Sequence, residues 1–262
     1  MTVEGVFMSK MPALFVGHGS PMNALEQNTV TESFQKLGKD LPRPKAILAV
    51  SAHWETEGTQ VLANTQPPTI HDFYGFPKSL FDIEYPAAGA PALAKRTQEL
   101  LGDAILSEKW GLDHGTWSVL VHMYPKADIP VYQLSLDAKK SPQEHLETGR
   151  KLRTLREEGV LILGSGNIVH NLRAINWKEP NGVYSWGLEF DQQIKKALEA
   201  RDEKTLTGYA DLGDIAKLSV PTAEHYLPLL YVVGATTQDD VLTYPYQGYA
   251  MGSLSMRSVL YS

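Results

Sequence analysis

The chain has 262 residues, a formal net charge of −6, 43% hydrophobic residues and no cysteine. No linker-like stretch or run of charge divides it, so we predict one domain over residues 1–262, with residues 1–10 flexible. The acidic balance gives no reason to expect a nucleic acid partner. The lack of cysteine excludes a disulfide scaffold, a thiolate-bound zinc finger and a cysteine nucleophile.

Membrane and export signals are also lacking in the sequence. No apolar run approaches the roughly 18 residues that a membrane span requires. Residues 1–10 do not resemble a secretory signal. We therefore expect a cytoplasmic protein with no membrane partner, and the sequence leaves the oligomeric state open.

Short apolar runs and helix-like segments alternate along the chain. The runs predicted as strands are 12–16, 46–51, 59–63, 130–135 and 160–163. The predicted helices are 31–37, 91–101, 117–124, 142–158 and 186–200, with Gly38, Gly102 and Gly159 as stop signals. Residues 66–77 are expected to form a Pro-rich surface loop. This order predicts an α/β fold with a mainly parallel or mixed central sheet flanked by helices.

Four histidines lie in contexts typical of a strand end or a turn. They are His18 in GHGSP, His53 in SAHW, His170 in GNIVHN and His225 in PTAEHY. The Gly-Ser-Gly-Asn stretch at 164–167, just before His170, is predicted as a turn. The first three histidines follow predicted strands, and ligands of α/β sheets bind at the carboxyl ends of the strands. Neutral imidazole is a good ligand for divalent transition metals. The sequence therefore predicts a histidine-rich metal site at the sheet rim, without selecting a reaction.

The remaining histidines have less distinctive surroundings. His114 follows a carboxylate that could tune its pKa. His122 lies in a predicted helix and is expected to pack or to make a structural hydrogen bond. His145 is expected on the solvated face of the 142–158 helix, and the role of His71 in the Pro-rich loop stays open. Thr222 is a candidate N-cap for the segment that His225 opens.

Six motifs occur in order along the chain: GHGSPM from residue 17, SAHW from 51, IHDFYGFP from 70, DHGTW from 113, GNIVHN from 166 and PTAEHY from 221. Together they resemble the class III extradiol ring-cleavage dioxygenases. Within that class they are similar to the 4,5-DOPA extradiol dioxygenase family of bacteria and plants. The resemblance covers nearly the whole chain, from about residue 11.

The resemblance implies a mononuclear non-haem Fe(II) centre, with zinc in some members. It implies that His18, His53 and His225 hold the metal. His170 would lie beside the metal as an acid–base residue, or as a fourth ligand when zinc is bound, and His114 would contact substrate or oxygen. Glu224 precedes His225, and the sequence leaves open which of the two side chains faces the metal.

The implied substrates are O2 and a catechol such as L-DOPA. A neutral histidine could accept a catechol proton near neutral pH. The loop around Asp72 and Tyr74 is expected either to bind substrate as a lid or wall, or to be only a Pro-anchored surface loop. Two other functions stay open: a zinc-dependent hydrolase or lyase at the same site, and a metal-binding protein without catalytic activity.

Overall fold

The computed structural model describes residues 10–262. The expected flexibility of residues 1–9 concerns a segment outside the described residues. Lys10 is the first described residue, and its Nζ lies 2.7 Å from Oδ1 of Asp240. No helix in residues 10–262 is long and apolar enough to cross a membrane.

Strands and helices alternate through most of this range, as predicted. The strands are β1 Ala13–Gly17, β2 Ala46–Thr56, β3 Gln60–Leu62, β4 Ile105–Ser107, β5 Val131–Asp137, β6 Val160–Gly166, β7 Leu242–Thr243, β8 Tyr249–Ala250, β9 Leu254–Ser255 and β10 Val259–Tyr261. The helices are α1 Thr29–Asp40, α2 Lys78–Phe81, α3 Pro91–Leu101, α4 His114–Met123, α5 Pro142–Glu157, α6 Ser185–Ala200, α7 Glu203–Thr207, α8 Asp214–Ser219 and α9 Leu227–Gly234.

One large sheet organises the fold. Its strand order is β4-β3-β5-β2-β6-β1-β10-β7, and β8 and β9 form a separate pair. The four central strands β5, β2, β6 and β1 are parallel, whereas β10 pairs antiparallel with β1 and β3 antiparallel with β5. The sheet is therefore mixed with a parallel centre, which confirms the predicted α/β class.

Helices cover both faces of the sheet. In β1, Ala13 and Phe15 belong to the core cluster that also contains residues of α5, α6 and α9, whereas Leu14 and Val16 belong to the cluster formed with α1 and α4. Because successive side chains of a strand point to opposite faces, a strand buried on both sides shows as a continuous apolar run. This is why the central strands were predictable.

Gly38 does not stop α1, contrary to the prediction. The helix begins after its N-cap Asn28 and continues to Asp40. A Cβ at Gly38 would lie 1.9 Å from the carbonyl oxygen of Met123 at the end of α4. The glycine therefore allows two helices to approach closely, and it has no role in ending α1.

Two central strands are longer than predicted. β2 continues through His53 to Thr56, with a register shift against β5 between Val50 and Glu55. β6 continues through the Gly-Ser-Gly that was interpreted as a turn and ends at Gly166. Backbone elsewhere packs directly on these glycines: a Cβ at Gly164 would lie 2.6 Å from the carbonyl oxygen of Pro228.

Two local predictions about polar residues are wrong. His145 is fully buried, and its Nδ1 lies 2.9 Å from the hydroxyl of Tyr231, because α5 turns this face toward α9. Thr222 does not cap α9. Its hydroxyl instead donates to Glu224 at 2.8 Å, and the helix begins after Tyr226.

Candidate metal centre

Three histidines converge at the carboxyl edge of the parallel strands. The ring centroids of His18, His53 and His225 form a nearly equilateral triangle, with sides of 5.0, 5.0 and 5.3 Å. The Nε2 atoms of His18 and His53 are 3.2 Å apart. One ligand atom from each of the three residues lies within 4.8 Å of the other two, so the group can hold one metal ion.

Each histidine of the triangle lies in or next to a different strand or helix. His18 directly follows β1, where Gly17 has no space for a side chain because a Cβ would lie 2.7 Å from Cα of Met256. His53 lies inside β2, within its register shift against β5. His225 precedes α9, and its carbonyl oxygen accepts a hydrogen bond from the backbone N–H of Asn167 at 2.8 Å.

The buried hydroxyl of Ser165 sets the orientation of His18. Ser165 Oγ donates its only hydrogen to the carbonyl oxygen of Gly115. It can therefore only accept from the Nδ1 of His18, which lies 3.0 Å away. This contact places the hydrogen of His18 on Nδ1 and leaves the Nε2 lone pair free. Ser165 was not predicted as a site residue, because it lies in the Gly-Ser-Gly stretch that was interpreted as a turn.

Glu224 supports His225 in the same way. Its Oε1 lies 3.0 Å from the Nδ1 of His225, so the imidazole donates to the carboxylate and keeps its Nε2 lone pair. His225, and not Glu224, belongs to the triangle with His18 and His53. A carboxylate that orients a metal-binding imidazole is a common arrangement in metalloproteins.

Asp72 contacts two histidines at once. Its Oδ1 accepts from the backbone N–H of His114 at 2.9 Å. Its Oδ2 lies 2.9 Å from the Nδ1 of His114 and 3.3 Å from the Nδ1 of His53. The rings of His53 and His114 are 3.9 Å apart. The structure therefore places Asp72 against the histidine cluster, with partners for both carboxylate oxygens.

A buried network fixes the helix that carries His114. Asp113 is the N-cap of α4 and accepts from Thr116 N at 3.2 Å. The same carboxylate accepts from Ser51 Oγ at 2.6 Å and from Gln133 Nε2 at 2.7 Å. Ser51 in turn accepts from the backbone N–H of His53 at 3.2 Å. The network links α4 to β2, whereas the sequence analysis interpreted the carboxylate of Asp113 only as a neighbour that could tune the pKa of His114.

His170 lies beside the triangle. Its ring stacks on that of His225, with centroids 3.4 Å apart and planes at 5°. One ring nitrogen of His170 lies within 4.8 Å of ligand atoms of Glu224 and His225. His170 does not belong to the group that His18 and His53 form with His225. Its backbone N–H donates to the carbonyl oxygen of Ser219 at 2.8 Å.

Burial favours the neutral imidazole at four histidines of the site: His18, His53, His170 and His225. It lowers the pKa of His53 to about 3, assisted by neighbouring His114 and opposed by Asp72. It lowers the pKa of His170 to about 4, opposed by Glu224. Burial also lowers the pKa of His18 and His225 well below the ordinary value. Metal ligation requires neutral imidazole, so at neutral pH these histidines have the protonation state that a metal ion needs.

The remaining predicted residues lie nearby or have structural contacts. Tyr74 is 92% exposed at the tip of its loop, while the adjacent Phe73 packs 5.6 Å from the ring of His114. His71 Nε2 donates to the carbonyl oxygen of Ile83 at 3.0 Å. His122 Nε2 donates to the carbonyl oxygen of Asn23 at 2.7 Å, which confirms the structural hydrogen bond expected for it.

Comparison with known proteins identifies the family. Residues 5–257 match the family described as the catalytic LigB subunit of aromatic ring-opening dioxygenase. This chain belongs to the LigB family. The resemblance to extradiol ring-cleaving dioxygenases is thereby confirmed, and this LigB protein is an oxidoreductase of the dioxygenase class.

Several relatives of this LigB protein carry one name. A protein of Escherichia coli K12 named 4,5-DOPA dioxygenase extradiol is 52% identical, covering 98% of this chain and 97% of that protein. Proteins of the same name from Beta vulgaris and Portulaca grandiflora are each 38% identical, covering 86% and 97% of this chain and 87% and 97% of their own lengths.

A solved structure supports the fold. The crystal structure of an uncharacterized protein from Escherichia coli K12 superposes with a TM-score of 0.85 at 48% identity. The superposition covers 96% of this chain and 100% of that chain. The LigB fold therefore extends over nearly all of this protein.

Proposed function

We propose that this LigB protein opens the aromatic ring of a catechol, L-DOPA or a close relative, with O2 as co-substrate. The observation that carries the proposal is the convergence of His18, His53 and His225 at the sheet edge. The 52% identity to a bacterial protein named for DOPA supports the choice of substrate. The cytoplasmic location and the single domain over residues 1–262 stay predictions.

We infer that His18, His53 and His225 hold one Fe(II), and that zinc can occupy the same ligands. Imidazole nitrogens suit both ions. The Nδ1 atoms of His18 and His225 have hydrogen-bond partners, and that of His53 lies 3.3 Å from Oδ2 of Asp72. These oxygens favour a hydrogen on each Nδ1 and a free lone pair on each Nε2. Iron held there would supply open coordination positions and would let electrons pass from a catecholate to O2.

Two further histidines of the site, His170 and His114, are assigned to proton transfer and substrate contact. A catechol must lose a proton to bind as the catecholate, and we assign this acid–base work to His170, which is neutral at neutral pH because burial lowers its pKa to about 4. His114 donates its Nδ1–H to Asp72, so its Nε2 lone pair is free for a substrate hydroxyl or oxygen. With zinc bound, His170 would serve as a fourth ligand.

We propose that the loop around Asp72 and Tyr74 forms one wall of the substrate site. Tyr74 stands in solvent beside Gly75, whose φ is 78°. Below it, Phe73 packs 5.4 Å from Phe76 and 5.0 Å from Phe81, and these contacts anchor the loop. Tyr74 would contact substrate only if the loop tip turned inward. Asp72 as a substrate-binding residue likewise stays a prediction.

Ring opening breaks one carbon–carbon bond beside the diol and adds both atoms of O2, giving an aldehyde and a carboxylate. Loading the metal-free protein with Fe(II) under anaerobic conditions, then adding L-DOPA and O2, tests this directly. We expect one O2 consumed per L-DOPA and a yellow semialdehyde product. Turnover without O2 on zinc loading would instead support the hydrolase or lyase, and metal binding without any turnover would support a non-catalytic protein.

A further inference from the structure

We propose that Asp72 is a positioning residue that aims two histidines of the site with one carboxylate. The inference rests on the proposed function, in which His53 is a metal ligand and His114 contacts the substrate. It is an alternative to the substrate-binding role predicted for Asp72. The side chain of Asp72 is 15% exposed and those of His53 and His114 are 19% and 7% exposed, so water competes little with these contacts.

The contacts of the two carboxylate oxygens of Asp72 support this positioning role. Oδ1 accepts the backbone N–H of His114 at 2.9 Å. Oδ2 accepts from the Nδ1 of His114 at 2.9 Å and also lies 3.3 Å from the Nδ1 of His53. A carboxylate has only acceptors, so the imidazole of His114 must carry its hydrogen on Nδ1, and the negative charge beside the Nδ1 of His53 favours a hydrogen there too. Each Nε2 then presents a lone pair.

The positions of the His53 and His114 rings show why the direction of these lone pairs matters for the site. The Nε2 of His53 lies 3.2 Å from the Nε2 of His18, inside the triangle. The ring of His114 lies 3.9 Å from that of His53 and 5.7 Å from that of His18. Oδ2 of Asp72 therefore couples a proposed metal ligand to a neighbouring pocket histidine, and a displacement of this atom would disturb both.

An amide of the same size cannot replace the carboxylate here. In the variant Asp72→Asn, the amide nitrogen faces either the two imidazoles or the backbone N–H of His114. In the first orientation it donates to the imidazoles, which favours hydrogens on Nε2 and removes the lone pairs from the site. In the second it sets two donors against each other at the start of α4. Both orientations misdirect His53 or His114.

The test compares zinc binding by the full chain and by Asp72→Asn, using zinc alone in competition with a chelator. We expect affinity to fall about 10–100-fold, the usual effect of removing a group that orients a metal ligand. Histidine nitrogen NMR of the zinc-free proteins should show Nδ1–H on His53 and His114 in the wild type, and a loss of this tautomer in the variant. A merely structural role would not move the tautomer.

Matched variants complete the test. Asp103→Asn removes an exposed carboxylate that pairs with Lys140, and it should leave zinc affinity and tautomers unchanged. In a His114→Ala background, Asp72→Asn should still weaken zinc binding through His53. Unchanged zinc affinity and unchanged tautomers, with only KM for L-DOPA raised, would overturn the positioning role and restore substrate binding. Because zinc binding is measured without turnover, a failure of the proposed dioxygenase activity would be seen separately.

Discussion

At the scale of single residues, the site consists of histidines and the oxygens that orient them. The motifs led to His18, His53, His170 and His225, and the structure brings all four together. The oxygen of Ser165 was missed, because a serine within a Gly-Ser-Gly run resembles a turn. Only the pairing of β6 with β1, which places Ser165 opposite Val16, brings its hydroxyl beneath His18.

Ser165→Ala tests this orienting contact. The variant removes the acceptor for the Nδ1 of His18, so the ring loses its fixed tautomer and zinc affinity should fall about 10–100-fold. Chelator competition measures the change. Ser135→Ala serves as the control, because Ser135 is also a buried strand serine but bonds to Thr56 and Gln60 instead. Equal zinc affinity in Ser165→Ala and wild type would show that His18 needs no support at Nδ1.

His170 and His18 should respond differently to truncation. His170→Ala is expected to keep the iron while kcat falls about 10²–10⁴-fold, the usual contribution of a general acid–base group. His18→Ala should lose the iron itself, since it removes one corner of the triangle. Iron stoichiometry and catechol turnover measured on the same samples separate these effects. If His170→Ala lost iron as completely as His18→Ala, His170 would be a ligand with iron as well as with zinc.

Among the helices and strands, helix ends with a strong local signal were predictable and close backbone contacts were not. The capping box of Ser141 with Glu144 and the glycine after α3 are short-range signals, and both ends lie where predicted to within a residue. Gly38 and Gly166 instead meet backbone from distant parts of the chain. A glycine required by such a contact looks the same in sequence as one that ends a helix or makes a turn.

Gly166→Ala should show how one such contact positions the site. The added Cβ would lie 2.1 Å from the carbonyl oxygen of His225, so the segment carrying His225 must shift. We expect a loss of about 1–3 kcal/mol in unfolding free energy, as for overpacked cores, together with weaker zinc binding. Gly187→Ala is the control, since its nearest neighbour would be 3.5 Å away. Wild-type zinc affinity in Gly166→Ala would refute the positional role.

Across the molecule, buried polar groups link distant segments of the core. Some of them lie on α5, where the sequence indicated a solvated face. Arg156 is fully buried in α5, and its guanidinium donates to the carbonyl oxygens of Met11 and Ala235 and to Asp240. His145 is buried on the same helix. The charged residues around Arg156 and His145 favoured the prediction of a solvated helix face. Both side chains are nevertheless buried, so the polar sequence of α5 did not reveal which positions face the core.

Acid should destabilise the protein through His145. Burial lowers the pKa of His145 to about 4, with Lys140 lowering it further and Asp137 and Glu144 opposing. The unfolded chain binds this proton near pH 6.5, so the free energy of unfolding should fall as the pH drops from 6.5 toward 4. At about 1.4 kcal/mol per pKa unit, the loss from this residue is on the order of 3 kcal/mol.

Denaturant unfolding of the metal-free protein across this pH range measures the effect. His145→Gln can still hydrogen-bond to the hydroxyl of Tyr231 but does not titrate, so its stability should depend less steeply on pH than that of the wild type. The buried histidines of the site contribute equally to both proteins. Identical pH slopes would show that His145 is protonated as easily in the folded protein as in the unfolded chain.

Isotope labelling shows whether O2 opens the catechol ring at the histidine triangle. The Fe(II)-loaded protein is given L-DOPA and ¹⁸O2, and the reaction is quenched early into borohydride to fix the aldehyde oxygen before it exchanges with water. We predict one ¹⁸O in the new carboxylate and one in the alcohol formed from the aldehyde, with no product from His18→Ala. Product oxygen derived only from water would contradict dioxygenase chemistry at this site.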